Sequence, residues 1–180
     1  MTITLLFFIN KILASAVILS QIFLIAYIIY FFILKKKEKK VEDFFAQNSI
    51  KFVFLISLVS TFGSLFYSNI IGFIPCDLCW FQRIFMYPLV IISAVALLKK
   101  DDRGICYVIY LSVIGFLISL WHNYSFYSKS ALSVCDSSGI SCAKAYVLEF
   151  NYITIPMMAL TAFSLIIFFS ILKKIKNKIR

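Results

Sequence analysis

Residues 72–83 read Gly72-Phe73-Ile74-Pro75-Cys76-Asp77-Leu78-Cys79-Trp80-Phe81-Gln82-Arg83. An apolar run at 52–74 precedes the cysteines and another at 80–98 follows them, so Gly72 and Pro75 read as a helix end and a tight return. Outward from this turn lie three further runs of similar length, at 12–34, 105–124 and 152–172. Each is close to the roughly 20 residues that cross a hydrocarbon core about 30 Å thick. None shows period-two alternation, and an isolated segment in lipid satisfies its backbone only as a helix. The expected fold is therefore an all-α membrane protein, a four-helix transmembrane bundle over 52–172 plus an additional N-terminal transmembrane helix over 1–34. A basic linker at 35–51, an outer loop at 125–151 and a basic tail at 173–180 complete the organisation. Composition agrees: the 180 residues are 62% hydrophobic and 14% charged, against about a quarter charged in soluble domains.

The net charge of +10 raises the possibility of a nucleic-acid ligand, but its distribution argues for a membrane. Lys35, Lys36, Lys37, Lys39, Lys40 and Lys51 fall between the first two runs; Lys99, Lys100 and Arg103 fall between the third and fourth. Lys173, Lys174, Lys176, Lys178 and Arg180 form the tail, leaving only Lys11, Arg83, Lys129 and Lys144 of the 18 basic residues elsewhere. With five crossings these clusters share one side, the positive-inside pattern, which makes them cytoplasmic and the N-terminus external. The tail also suits contact with anionic lipid. Ala14-Ser15-Ala16 resembles a signal-peptidase site, yet no basic region precedes it and the apolar run continues to Leu34, so the first helix reads as uncleaved.

That orientation puts Cys76, Cys79, Cys135 and Cys142 outside, where disulfides persist. Cys106 falls at the opposite side and reads as a small packing residue. A CxxC pair alone fits a zinc half-site, a static bridge or a redox couple. Placement favours redox chemistry and no metal: a helix N-terminus stabilises thiolate, and Arg83 stands one turn beyond Cys79. An arginine in an apolar helix costs about 2.5–3.5 kcal/mol at mid-span; near an end it can instead snorkel. Here it is expected to stabilise a thiolate and an oxyanion forming on a bound acceptor. Gln82, on an adjacent face, can hydrogen-bond the same head group or pack between helices. His122, the sole histidine, falls at the depth of the CxxC, as either a structural hydrogen-bonder or a proton-handling group. Trp80, Trp121, Tyr124 and Tyr152 fall at outer helix ends, as an aromatic belt requires.

Cys76-Asp77-Leu78-Cys79-Trp80-Phe81-Gln82-Arg83, Met86-Tyr87-Pro88, the Cys135/Cys142 segment and Tyr152-Ile153-Thr154-Ile155-Pro156 together resemble the DsbB family of membrane quinone reductases. Trp121-His122 is closer to its BdbC-like branch. The resemblance covers about 52–172 and implies a bacterial inner-membrane thiol:quinone oxidoreductase with its cysteines on the periplasmic or extracytoplasmic side. It further implies that a DsbA-like thioredoxin-fold partner is reoxidised through Cys135 and Cys142. Electrons then pass to Cys76 and Cys79 and on to a quinone, ubiquinone or menaquinone, with Arg83, Gln82 and His122 at the head group. The family pattern has four helices and a cytoplasmic N-terminus, so the helix at 12–34 is an addition. The alternatives are a vitamin K epoxide reductase-like enzyme and a non-enzymatic scaffold with structural disulfides. No glycine-rich nucleotide fingerprint is present, so a flavin or nicotinamide acceptor is unsupported.

Overall fold

The computed structural model describes residues 3–34, 39–100, 103–128 and 146–179. The helices are α1 (Ile3–Leu34), α2 (Lys39–Leu65, prolonged by a π-helical turn Phe66–Ile70), α3 (Asp77–Lys99), α4 (Gly104–Ser128) and α5 (Ile155–Ile179). Among the described residues, five segments are long and apolar enough to cross a membrane, one in each helix. The chain is an all-α, multi-pass membrane protein. Helices α2 to α5 close a ring of neighbours, α2 on α3, α3 on α4, α4 on α5 and α5 on α2, while α1 packs chiefly on α5.

Sequence periodicity sets the inward faces. Gln82, Met86, Leu89, Ser93 and Ala96 are the buried residues of α3, spaced alternately four and three apart as one helical stripe demands. On α4 the buried stripe runs Ile105, Val108, Ser112, Gly115, Ser119, His122 and Ser125, mostly small residues. Lipid is as apolar as leucine, so close packing between helices, rather than escape from water, must hold such a bundle. Gly115 shows how close: a Cβ there would collide with the Phe163 ring of α5. Phe163, Leu89 and Ile166 are fully buried around this contact.

Two boundaries differ from the sequence reading. The linker at 35–51 is helical from Lys39 onward, because Phe45, Ser49 and Phe52 continue the inward stripe of α2 and Phe45 packs on Phe169. The basic tail likewise continues α5, and Lys176 pairs with Asp43 at 2.9 Å, a contact exposed enough to contribute little. At the other end, Phe150 and Asn151 both take positive φ, 50° and 64°. Tyr152 N–H donates to the Glu149 carbonyl at 3.2 Å, closing a four-residue turn with positive φ at both central positions as type I′ requires. Glu149 and Ile153 exchange backbone hydrogen bonds of 3.0 and 2.9 Å around it. Thr154 then caps α5, its Oγ1 accepting from Met157 N–H at 3.3 Å.

Candidate active site at the cysteine end of the bundle

The chain leaves α2 through the π turn, whose Ile71 N–H donates to the Phe66 carbonyl at 3.1 Å. It reverses at Gly72, whose φ of +82° suits glycine. Cys76 is the N-cap of α3, with extended backbone and no side-chain cap hydrogen bond. Its carbonyl accepts from Trp80 N–H at 3.1 Å. The first helical turn therefore holds the CxxC as expected, with the Cys76 and Cys79 sulfurs 3.3 Å apart.

His122 joins this pair. Its Nε2 lies 3.7 Å from Cys76 Sγ, and its Nδ1 lies 3.1 Å from the Gln82 amide nitrogen. The amide donates to Nδ1, so the ring proton resides on Nε2, directed at the Cys76 sulfur. His122 and Gln82 are both buried; Gln82 is the first buried residue of α3 and His122 lies near the outer end of the buried stripe of α4, which is why they meet. The Cys76 thiol is held well below the ordinary thiol range, first because the Cys79 thiol hydrogen-bonds to it and then because His122 does. Three ligating atoms, of Cys76, Cys79 and His122, lie within 4.8 Å of one another, close enough for a soft divalent ion as well as for thiol exchange.

Arg83 stands beside this cluster. Its guanidinium donates to the Ser64 carbonyl of α2 at 3.3 Å and lies over the Trp80 ring, 5.2 Å from the centroid. Ser64 precedes the π turn, so Arg83 ties the end of α2 to the second turn of α3. Cys76, Cys79, Gln82, Arg83 and His122 all line one cavity of about 390 Å³, within the range of about 300–1,000 Å³ common to ligand sites. Cys135 and Cys142 lie outside the described residues.

The structure adds residues that sequence reading left without a role. Tyr87, one turn beyond Arg83, lines the same cavity with a buried hydroxyl that has no hydrogen-bond partner among the described residues. Tyr67, in the π turn, also lines it, and its ring, that of Phe73 and that of Tyr146 form a stack with centroids 5.9 and 4.7 Å apart. A tyrosine four residues after an intramembrane arginine was the available signal for the first; nothing in the sequence announced the π turn. Cys106 is at the far end of α4 and is exposed rather than packed, so the packing reading is corrected. It sits 16 residues before His122, about 24 Å along the helix, too far to join the cluster.

The fold and this cluster define a multi-pass membrane protein with sulfur chemistry at one end of its helical bundle. The family profile described as "Disulfide bond formation protein DsbB" matches residues 47–173. Among similar proteins, the SPbeta prophage-derived disulfide bond formation protein B of Bacillus subtilis (strain 168) is 44% identical over 126 residues, 70% of this chain and 85% of its own. Disulfide bond formation protein C of the same organism is 42% identical over 133 residues, 71% of this chain and 96% of its own. A probable disulfide formation protein of Oceanobacillus iheyensis is 38% identical over 127 residues, 67% of this chain and 85% of its own. No solved structure matches the chain. The chain belongs to the DsbB family of disulfide bond formation proteins.

Proposed function

We propose that the protein is a thiol:quinone oxidoreductase that reoxidises a DsbA-like thioredoxin-fold protein on the outer face of a bacterial cytoplasmic membrane. The observation that carries this reading is the shared cavity. The thiol pair, a guanidinium and an unpartnered phenol hydroxyl line one largely apolar space inside a membrane-spanning bundle.

The partner dithiol attacks Cys135 of a Cys135–Cys142 disulfide, leaves oxidised, and transfers two electrons and two protons to that pair. The Cys142 thiolate then attacks Cys76 of a Cys76–Cys79 disulfide, releasing Cys79. Cys135 closes on Cys142, which restores the first disulfide and leaves Cys76 and Cys79 reduced. A ubiquinone or menaquinone head group supplies the sink for these two electrons and two protons and departs as quinol. The chain's own residues hold the reactants. Arg83 and Tyr87 offer hydrogen bonds to carbonyl oxygens, and His122, oriented by Gln82, exchanges a proton at the Cys76 sulfur. Closure of the Cys76–Cys79 disulfide completes the cycle.

The test is turnover by detergent-solubilised full-length protein with a reduced thioredoxin-fold dithiol protein and a soluble quinone analogue. Quinone bleaching that stops in Cys79→Ser is the expected outcome, and its absence in the wild type sinks the reading. The Cys76, Cys79 and His122 geometry favours one second reading, a metal centre. Protein that holds one tightly bound zinc per chain and resists thiol alkylation would support it instead.

A further inference from the structure

The family profile begins at residue 47, so α1 lies outside the part of the chain that defines the family. It is nevertheless fastened to the bundle by specific polar contacts. The Tyr67 hydroxyl donates to Asn10 Oδ1 at 2.7 Å. Lower on the helix, the Gln21 amide donates to Thr161 Oγ1 at 2.9 Å and its oxygen accepts from the Tyr152 hydroxyl at 3.1 Å. Beyond these, Phe23 packs on Phe45 of α2 at 5.6 Å, and Tyr27 on Phe168 of α5 at 4.7 Å. Interhelical hydrogen bonds in lipid contribute about 0.6 kcal/mol each on average, so their value here lies as much in fixing register and rotation as in strength.

Asn10 and Phe23 thus pin α1 to α2 at two levels, and between the pins the helix stands away from α2. Leu13, Ala16, Val17 and Ser20 fall in that interval and line the 390 Å³ cavity that holds the thiols. They repeat at three- and four-residue spacing, one face of the helix, and continue the line of Asn10. Opposite them, α2 presents Val59 and Gly63 to the same cavity, and a side chain added at Gly63 would meet nothing within 4 Å. The outward residues of α1 are bulky and exposed, Phe8 and Leu19 at 63% and 67%, as a lipid face requires. On the cavity side Ala16 and Ser20 alternate with Leu13 and Val17.

We infer that α1 is the outer wall of the acceptor chamber, and that a quinone with a hydrocarbon tail reaches the thiols laterally from the bilayer, through the gap between Leu13–Ser20 of α1 and Val59–Gly63 of α2. The inference rests on the quinone reading and deepens it. A chamber closed by α2 to α5 alone would take its acceptor without touching α1. With α1 in place, ring and tail pass along the Leu13, Val17 and Ser20 face.

Val17→Trp in the full-length protein fills this gap, and Leu19→Trp places the same bulk on the lipid face. The expected result is a rise of about tenfold, one decade of apparent affinity, in KM for decyl-ubiquinone with Val17→Trp. Reduction of the Cys76–Cys79 disulfide by dithiothreitol stays as in wild type, and Leu19→Trp leaves KM unchanged. A Val17→Trp protein that inserts and shows wild-type KM overturns the inference. Photolabelling of the unmodified protein with an azidoquinone gives an independent reading: adducts within residues 13–20 support it, and adducts confined to α2–α5 overturn it. Absence of quinone turnover by the wild type removes the quinone reading and this one with it, whereas turnover without α1 labelling removes only the wall.

Discussion

His122 Nε2 lies 3.7 Å from Cys76 Sγ while its other ring nitrogen is held by Gln82 at 3.1 Å. One histidine therefore couples the first cysteine of the CxxC to a buried amide two turns further along the same helix. Because Gln82 opens the buried stripe of α3, three residues after Cys79, and His122 lies near the outer end of that of α4, the coupling is a product of bundle packing. The same α3–α4 contact that builds the core sets the proton on the nitrogen facing sulfur. Chemistry at the helix terminus is in this way secured from within the membrane.

Cys76 reactivity should follow from that arrangement. Its thiol is lowered to about 4, by Cys79 first and His122 second, so thiolate persists as pH falls until that value is approached. In reduced wild-type protein, iodoacetamide labelling of Cys76, mapped by mass spectrometry, should be flat from neutral pH down to about 5 and drop towards 4. Cys79→Ala should move the midpoint upward most and His122→Ala less, both towards the free thiol value of about 8.5. A wild-type midpoint near that free value would contradict the geometry.

Gly115 tests the bundle itself. A Cβ at this position meets the Phe163 ring, so Gly115→Ala overpacks the α4–α5 contact and should destabilise by about 1–3 kcal/mol. Gly63→Ala has open space around it and should be neutral or stabilising by about 0.5–1 kcal/mol, since glycine within a helix is unfavourable. Thermal unfolding in detergent would show the two shifts in opposite directions. Combining Gly115→Ala with Phe163→Leu should recover part of the loss, because the clash is with that ring.

These contacts mark the limit of what the chain alone discloses. Run length, the lysine clusters and the Gly72–Pro75 turn were enough for the helices and the N-terminal placement of the thiols. The meeting of Gln82 with His122 was not, because it depends on the relative rotation of α3 and α4, and nothing local to either helix encodes that. Asn10 and Gln21 were visible as polar residues in an apolar run, yet their partners Tyr67 and Thr161 lie 57 and 140 residues away. The helical extension at 39–51 was obscured by its lysines, which mask the inward Phe45 and Ser49.

Arg83 should divide the catalytic cycle into two halves. Its guanidinium is committed to the Ser64 carbonyl and the Trp80 ring, and both contacts position it on the cavity wall. Arg83→Ala should raise KM for a quinone analogue about tenfold or more, with thiol exchange between the two cysteine pairs unaltered. Arg83→Lys keeps the charge but loses the planar stacking and forked donors, so it should restore only part of the loss. Steady-state kinetics across quinone concentrations would decide; an unchanged KM in both variants removes Arg83 from the acceptor site.

Metal content separates the two readings of the Cys76, Cys79 and His122 cluster. Three ligating atoms within 4.8 Å would accept zinc once both thiols are ionised, at about 2.3 Å from sulfur and 2.0–2.1 Å from nitrogen. A redox pair must lose that ion whenever it closes to a disulfide, so zinc binding and turnover exclude one another. Protein purified oxidised should contain no stoichiometric zinc by elemental analysis, and chelator should leave turnover unchanged. Added zinc should inhibit only the reduced form. One zinc per chain, retained through turnover, would reverse the assignment.

Cys135 and Cys142 supply the remaining prediction, since the order of exchange depends on which of them meets the partner. If Cys135 receives the attack, Cys142 is the thiolate released from the disulfide; the partner's second thiol then frees the oxidised partner from Cys135, and Cys142 carries the electrons inward. Cys142→Ser leaves Cys135 as a free thiol that attacks the disulfide of the oxidised partner. With no Cys142 to reclose on Cys135 the covalent complex should accumulate, visible as a reductant-sensitive band on non-reducing electrophoresis. Cys135→Ser should give no such band through that position. Attack by Cys142 at Cys76 would expel Cys79, one turn from Arg83, whereas attack at Cys79 would expel Cys76, beside His122. Cys135→Ser leaves the Cys142 thiol free to attack an intact Cys76–Cys79 disulfide with nothing to resolve the product, and mapping that Cys142 bridge by mass spectrometry distinguishes the two. A bridge from Cys142 to Cys76 is the expected product, and one to Cys79 would reverse the inner half of the relay while leaving its outer half intact.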